Sequence, residues 1–233
     1  MKSCQDSPNE CLSSSKLPEG AKVYTRTTLA FYDFLVHFVS NRLIWGCPTQ
    51  RLIDHGTTHL TEDHLEIGIG SGKQLCHSAK KRKFHRLVIA DVNPDCLQVA
   101  CQTLRQFGPA TLEVDLMDLD LRGHSPFRSI GLNYVLHCLP LDMEEKLAIC
   151  DRLFEYGLRP GGVLFGATLF SHRGQSWVSR LLMKAYNRKK VFSNETDCPS
   201  RFHQWCVQRA SSFHFQKIGC VGFFAVEKAG RSL

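Results

Sequence analysis

Apolar positions along the chain follow two periods, and the changes between them mark the elements. Arg86 to Asp91, RLVIAD, is a short apolar run of strand type closed by an acidic residue, and His64 opens another run that ends in glycines at 68, 70 and 72. Asp91 lies nineteen residues beyond Gly72, a length that suits a loop, a helix and a returning parallel strand. Pro94 reads as the first turn of the next helix, where its missing N–H costs nothing. Two stretches follow the helical period instead. From Val23 to Trp45, apolar or aromatic residues stand at 31, 34, 35, 38, 39 and 43, a face dense enough to cover a sheet edge. Gln175 to Tyr186, QSWVSRLLMKAY, is also amphipathic, with Trp177, Leu181 and Tyr186 read as one wall, and the polar NRKKVFSNE behind it reads as a loop.

The glycines carry the first chemistry. In HLEIGIGSG they recur at every second position after Glu66, which lets a strand end turn sharply and approach a ligand where a Cβ would collide. A dinucleotide fingerprint needs its third glycine at 73, where Lys73 stands, and a Walker loop needs Ser or Thr where Gln74 stands. What remains is a nucleoside-cofactor loop, with Asp91 placed at the next strand end to accept from both hydroxyls of a ribose.

This E-x-G-x-G-x-G resembles motif I of the class I S-adenosylmethionine-dependent methyltransferases, and later segments resemble that family in order. VNPDCLQVACQTLRQFG is similar to its segment after strand two, Ala110 to Asp115 to a third strand ending in Asp115-Leu116, and SIGLNYVLH to strand four and its exit. A helix near Met143 to Tyr156, LRPGGVLFGATLF as strand five, and SFHFQKIGCVGFFAVEK as a final antiparallel pair complete the likeness. The resemblance implies an α/β fold: a Rossmann-like seven-stranded sheet of order 3-2-1-4-5-7-6, strand 7 antiparallel, with helices on both faces. It implies S-adenosyl-L-methionine as cofactor, with contacts at Glu66, Gly68, Gly70, Gly72, Asp91, Val92, Asp115, Leu116 and Asn133. YDFLVHFVSNRLIWGCP, GLNYVLHCLP, GGVLFGATLF and YNRKKVFSNE together resemble small bacterial and fungal methyltransferases linked to natural-product pathways.

Composition suits one domain: 233 residues with 43% apolar content can bury a sizeable core. Residues 1–20, polar and rich in Ser, Pro and Asn, read as a disordered tail with no signal-peptide core. Residues 21–233 then form the methyltransferase domain, with 21–58 as a helical cover and 60–228 as the core. No run of eighteen apolar residues suggests a membrane span. Eleven cysteines without a C-x-x-C pair point to a reduced, cytoplasmic protein. His55 and His59 are spaced i, i+4, but no third ligand follows, so no metal site is expected.

The net charge of +7 raises nucleic acid as a partner. Its densest run, Lys80 to Lys83 with Arg86, falls where the helix after motif I should end, away from the ligand edge. The exit of strand four also lacks the proline motif of nucleobase and glutamine methyltransferases. A small-molecule substrate is therefore expected, with no specific nucleic acid and no membrane; oligomeric state is left open. Methyl transfer needs an aligned nucleophile, exclusion of water and a route for the substrate proton. His137 and then His172 are the candidate bases, and Tyr24, Tyr32, His37, Trp177 and Tyr186 the candidate substrate contacts. Methyl transfer to oxygen of a small metabolite is the favoured reading. RNA or protein methylation, and a catalytically silent interaction module, are the alternatives.

Overall fold

Strands buried on both faces must be apolar nearly throughout, and the central elements of the chain meet that demand. In the computed structural model, which describes residues 2–3, 44–80, 82–171 and 176–230, β1 (Asp63–Ile67), β2 (Arg86–Asp91), β3 (Ala110–Glu113), β4 (Phe127–Asn133) and β5 (Leu158–Leu169) run parallel. The hairpin of β6 (Ser212–Ile218) and β7 (Val221–Glu227) adds antiparallel through β7. The order is 3-2-1-4-5-7-6. From β1 the chain crosses first to β2 and later to β4 on the opposite flank, so a crevice opens at the carboxyl ends of β1 and β4.

Lys2–Ser3, expected within a disordered tail, forms a two-residue strand antiparallel to β3, with Lys2 opposite Thr111 and Ser3 opposite Ala110. The exposed edge of β3 offers unpaired backbone groups that an extended segment of almost any composition can meet. The cover helix expected between Val23 and Trp45 lies outside the described residues as far as position 43. Trp45 itself is buried, and its carbonyl accepts from Cys220 N at 2.8 Å.

Alternation along the strands divides the core. Leu65 and Ile67, Val88 and Ala90, and Ile130 and Leu132 pack on one face with α4 (Met143–Arg152) and α6 (Pro199–Arg209). Leu87, Ile89, Val163 and Phe165 face α2 (Lys73–Ser78) and α3 (Pro94–Thr103). α1 (Thr49–His59) lies against α2 and β5. α6 is not among the helices expected from the sequence, although its signature is legible in Pro199 at its start and Phe202, Trp205 and Cys206 at i, i+3, i+4 spacing. Trp205 donates from Nε1 to Asp151 Oδ1 at 2.7 Å.

After α5 (Trp177–Arg188) the remainder of NRKKVFSNE is a loop, as expected, and an anchored one: Phe192 is buried and Asn194 fully enclosed. Asn194 donates to Leu169 O at 2.8 Å and meets Asn187 through both side chain and backbone, which ties the loop to β5. Two expectations change. Trp177 and Tyr186 do not share a wall: nine residues of α-helix turn through about 900°, which puts them on opposite sides. Tyr186 packs on Phe192 with ring centroids 4.9 Å apart, whereas Trp177 is 71% exposed. Cysteine chemistry differs at one position, since Cys101 on α3 is disulfide-bonded while, among the described residues, Cys47, Cys138, Cys150 and four others are free thiols. Pairing depends on which thiols the fold brings together, which spacing does not reveal. The basic run is also partly spent internally: Arg86 grips Asp63 at 2.6 and 3.2 Å and lies over the Phe127 ring, and Arg82 donates to Thr57 O.

Candidate active site

Each glycine after β1 has φ between +55° and +75°, a region that side chains with a Cβ disfavour, but their surroundings differ. A Cβ on Gly68 would come within 2.4 Å of Val135 Cγ2, and one on Gly72 within 3.2 Å of Ala100 Cβ, so these two let the loop pack against the protein. A Cβ on Gly70 would meet nothing within 4 Å. Of the three loop glycines, Gly70 is therefore the one whose open side faces away from the protein.

Asp91 closes β2 beside this loop. Its carboxylate accepts from Gly70 N at 3.2 Å and from Asn93 N at 2.9 Å, tying loop to strand end, and burial pushes its carboxyl up to about 6 against those hydrogen bonds. Val92 follows, half-buried. Past the end of β3, Asp115 Oδ1 caps Met117 N at 2.9 Å, and Leu116 is buried with its carbonyl facing Arg152. Arg128, near the start of β4, has a surface partner in Glu62 at 2.7 Å.

Sequence reasoning missed a row of buried polar groups shared by β1 and β4. His64 pairs with Ser129 and Glu66 with Gly131 in register. His64, fully buried, meets Ser129 Oγ with Nδ1 and Glu66 Oε2 with Nε2, each at 2.8 Å, and Thr61 Oγ1 lies 2.8 Å from Ser129 Oγ. Asn133 Nδ2 donates to Glu66 Oε1 at 2.9 Å. Gly131 makes this possible, since a Cβ there would sit 2.1 Å from Glu66 Oε2. A small cavity lies over the row, lined by Gly56, Leu60, Glu66, Gln74, Leu75, Ser78, Asn133 and Phe165. Tyr134 follows with φ +60° and its N–H on Ala167 O at 2.7 Å, a strained non-glycine backbone of the kind found at ligand sites.

His137 is 3% exposed, with its ring edge-on to Phe192 and Tyr134 and its Nδ1 receiving Leu169 N at 3.4 Å. Burial, with Lys146 nearby, holds its pKa down to about 3. His55 on α1 is also held neutral, to about 4, by burial and then by His59, with Nε2 on Phe224 O at 2.9 Å. His172, Tyr24, Tyr32 and His37 lie outside the described residues.

These two histidines set an acid limit. Folded pKa values below the ordinary 6.5 mean that the unfolded chain binds more protons, so their stabilisation is fully present above pH 6.5 and is lost as pH falls through about 4 for His55 and about 3 for His137. Asp91, raised to about 6, works in the opposite sense and offsets part of the loss between pH 6 and 4. Thermal midpoints are expected to fall steadily from pH 6.5 to pH 4, and His55→Gln to flatten the curve. A midpoint independent of pH over that range would contradict both burial assignments.

No family model matches the chain. Individual proteins do. It is 30% identical over 222 residues to Methyltransferase ctvB of Aspergillus terreus, covering 91% of this chain and 96% of that one. It is 28% identical over 219 residues to demethylluteothin O-methyltransferase of Streptomyces thioluteus, covering 94% and 95%. Among solved structures, an O-methyltransferase family protein from Burkholderia thailandensis superposes with a TM-score of 0.65 at 14% identity, over 90% of this chain and 64% of that one. With the glycine loop, the acidic end of β2 and the 3-2-1-4-5-7-6 sheet in place, the full-length likeness shows that the chain belongs to the class I S-adenosylmethionine-dependent methyltransferases.

Proposed function

We propose that this methyltransferase methylates an oxygen of a small organic metabolite in a biosynthetic pathway. The observation that carries the reading is the near full-length similarity to a protein named for O-methylation of demethylluteothin. The residues fit the cofactor: Gly70 leaves open space at the loop, Asp91 offers a carboxylate beside it, and Asn133 Oδ1 is a buried acceptor without a partner. When bound, S-adenosylmethionine supplies an activated methyl group on its sulfonium.

The chain's own part is to bind, orient and exclude water. Asp91 is assigned to the ribose hydroxyls, Asp115 and the Leu116 backbone to the adenine end, and Glu66 to support of Asn133. His137, with a pKa near 3, has little basicity at neutral pH and is assigned to holding the exit of β4 against β5. Trp177 and Leu181, one turn apart and 71% and 62% exposed, are assigned to the substrate side together with Tyr24, Tyr32 and His37. Between them in sequence, buried Ser179 donates to Ile44 O and fixes the helix on the protein.

Calorimetric titration with S-adenosylhomocysteine is expected to show binding, weakened by about 1.5–3 kcal/mol in Asp91→Ala through loss of charge-assisted hydrogen bonds. Unchanged affinity would remove Asp91 from the site. Incubation with isotopically labelled cofactor and a panel of phenols and hydroxylated metabolites is expected to give labelled methyl ethers. Label recovered only on nitrogen or carbon, or only in RNA or protein, would overturn the reading.

A further inference from the structure

Beneath α1 and α2 the facing positions of β1 and β4 carry polar groups where apolar side chains would satisfy packing alone. A buried carboxylate and imidazole are costly unless fully hydrogen-bonded, and here the bonds form a directed chain. An ionised carboxylate only accepts, so Glu66 takes N–H from His64 on Oε2 and from Asn133 on Oε1. Ser129 Oγ on Nδ1 completes the imidazole, leaving its Nε2–H for Glu66. Because Asn133 must turn Nδ2 toward Glu66, its Oδ1 must point the other way.

That Oδ1 is buried and has no hydrogen-bond partner, and neither does Gln74 Nε2, which lines the same cavity. One stranded acceptor and one stranded donor suit the ammonium and the carboxylate of an α-amino acid. We propose that His64 is a positioning residue for the amino-acid end of the bound cofactor, acting through Glu66 to orient Asn133, with Gln74 as the partner for the carboxylate. The inference rests on the S-adenosylmethionine reading above. Without His64, Glu66 loses a donor, the amide of Asn133 is released to turn, and an N–H can then face the ammonium in place of the oxygen.

Two ligands separate this role from simple support. S-adenosylhomocysteine carries the amino-acid end and 5′-methylthioadenosine lacks it. His64→Phe keeps a ring to stack on Phe165, as the imidazole does at 5.8 Å. It is expected to weaken S-adenosylhomocysteine about 10- to 100-fold, the range of one charge-assisted hydrogen bond, while leaving 5′-methylthioadenosine within about twofold on the same principle. His64→Gln, which retains an N–H toward Glu66, is expected to recover most of the loss. Combined with Asn133→Ala, His64→Phe is expected to add nothing further, because it acts through that amide. Equal weakening of both ligands, as for a cavity bridged only by water or for general loosening, overturns the proposal, and so does no weakening of either. Should His64→Phe not fold, Ser129→Ala, which removes the hydroxyl on Nδ1, carries the same two-ligand comparison. A wild-type chain that binds neither ligand would instead refute the cofactor reading itself.

Discussion

Asp197→Ala is expected to destabilise the protein by about 3–5 kcal/mol, the cost of leaving a buried charge without its partner. Lys146 on α4 is 2% exposed, and its Nζ lies 2.8 Å from both carboxylate oxygens of Asp197 and also donates to Ser193 O. The ammonium is almost fully buried, so removal of the carboxylate strands it. The consequence extends beyond α4, because Ser193 N donates to His137 O and Asn194 next to it donates from Nδ2 to the carbonyl of Leu169 at the end of β5. The pair thereby ties the segment after α5 to the ligand edge of the sheet. Urea unfolding measures the loss. The double change Lys146→Met with Asp197→Leu is expected to recover most of it, since apolar replacements of a buried pair are tolerated when neither charge remains. A loss below about 1 kcal/mol for Asp197→Ala would mean that water or another group solvates Lys146.

Gly70→Ala should abolish cofactor binding while sparing the fold, and Gly68→Ala should do nearly the reverse. Both positions have positive φ, +55° and +69°, so any Cβ adds backbone strain of about 1–2 kcal/mol. Beyond that the two sites diverge. At Gly70 the new methyl group meets no protein atom within 4 Å and projects toward the ligand side; at Gly68 it collides with Val135 at 2.4 Å. Titration with S-adenosylhomocysteine is expected to show at least a 100-fold loss for Gly70→Ala, about 2.7 kcal/mol, with a thermal midpoint only slightly lowered. Gly68→Ala should lower the midpoint more. Retention of wild-type affinity by a folded Gly70→Ala variant would move the cofactor away from this loop.

The acceptor side is the part of the site furthest from the common scaffold. Specificity on a shared scaffold usually resides in segments added to it, here those before β1 and after β5. In this chain they meet where Ser179 binds Ile44 O. Trp177 and Leu181 are exposed on the other side of α5; if the proposed substrate role holds, substituting them is expected to alter which acceptor is used while leaving affinity for S-adenosylhomocysteine unchanged.

The sequence by itself determined the succession of strands along the chain, the glycine loop and the acidic end of β2, because those features are local; the order of the strands within the sheet was implied by the family resemblance. A run of apolar residues closed by glycine or aspartate specifies a strand and its exit within a few residues, and the length between two exits fixes a parallel return. The tertiary structure alone decided which polar residues meet. His64 and Ser129 are 65 positions apart, Lys146 and Asp197 are 51 apart, and neither pair has a local signature. Only the parallel register of β1 on β4 brings histidine, serine, glutamate and asparagine onto one buried face, and only enclosure holds the pKa of His137 well below its ordinary value. Burial and register are properties of the packed sheet, since a hydrogen bond in the interior depends on distance and on the exclusion of water, and neither is written in the spacing of residues along one strand.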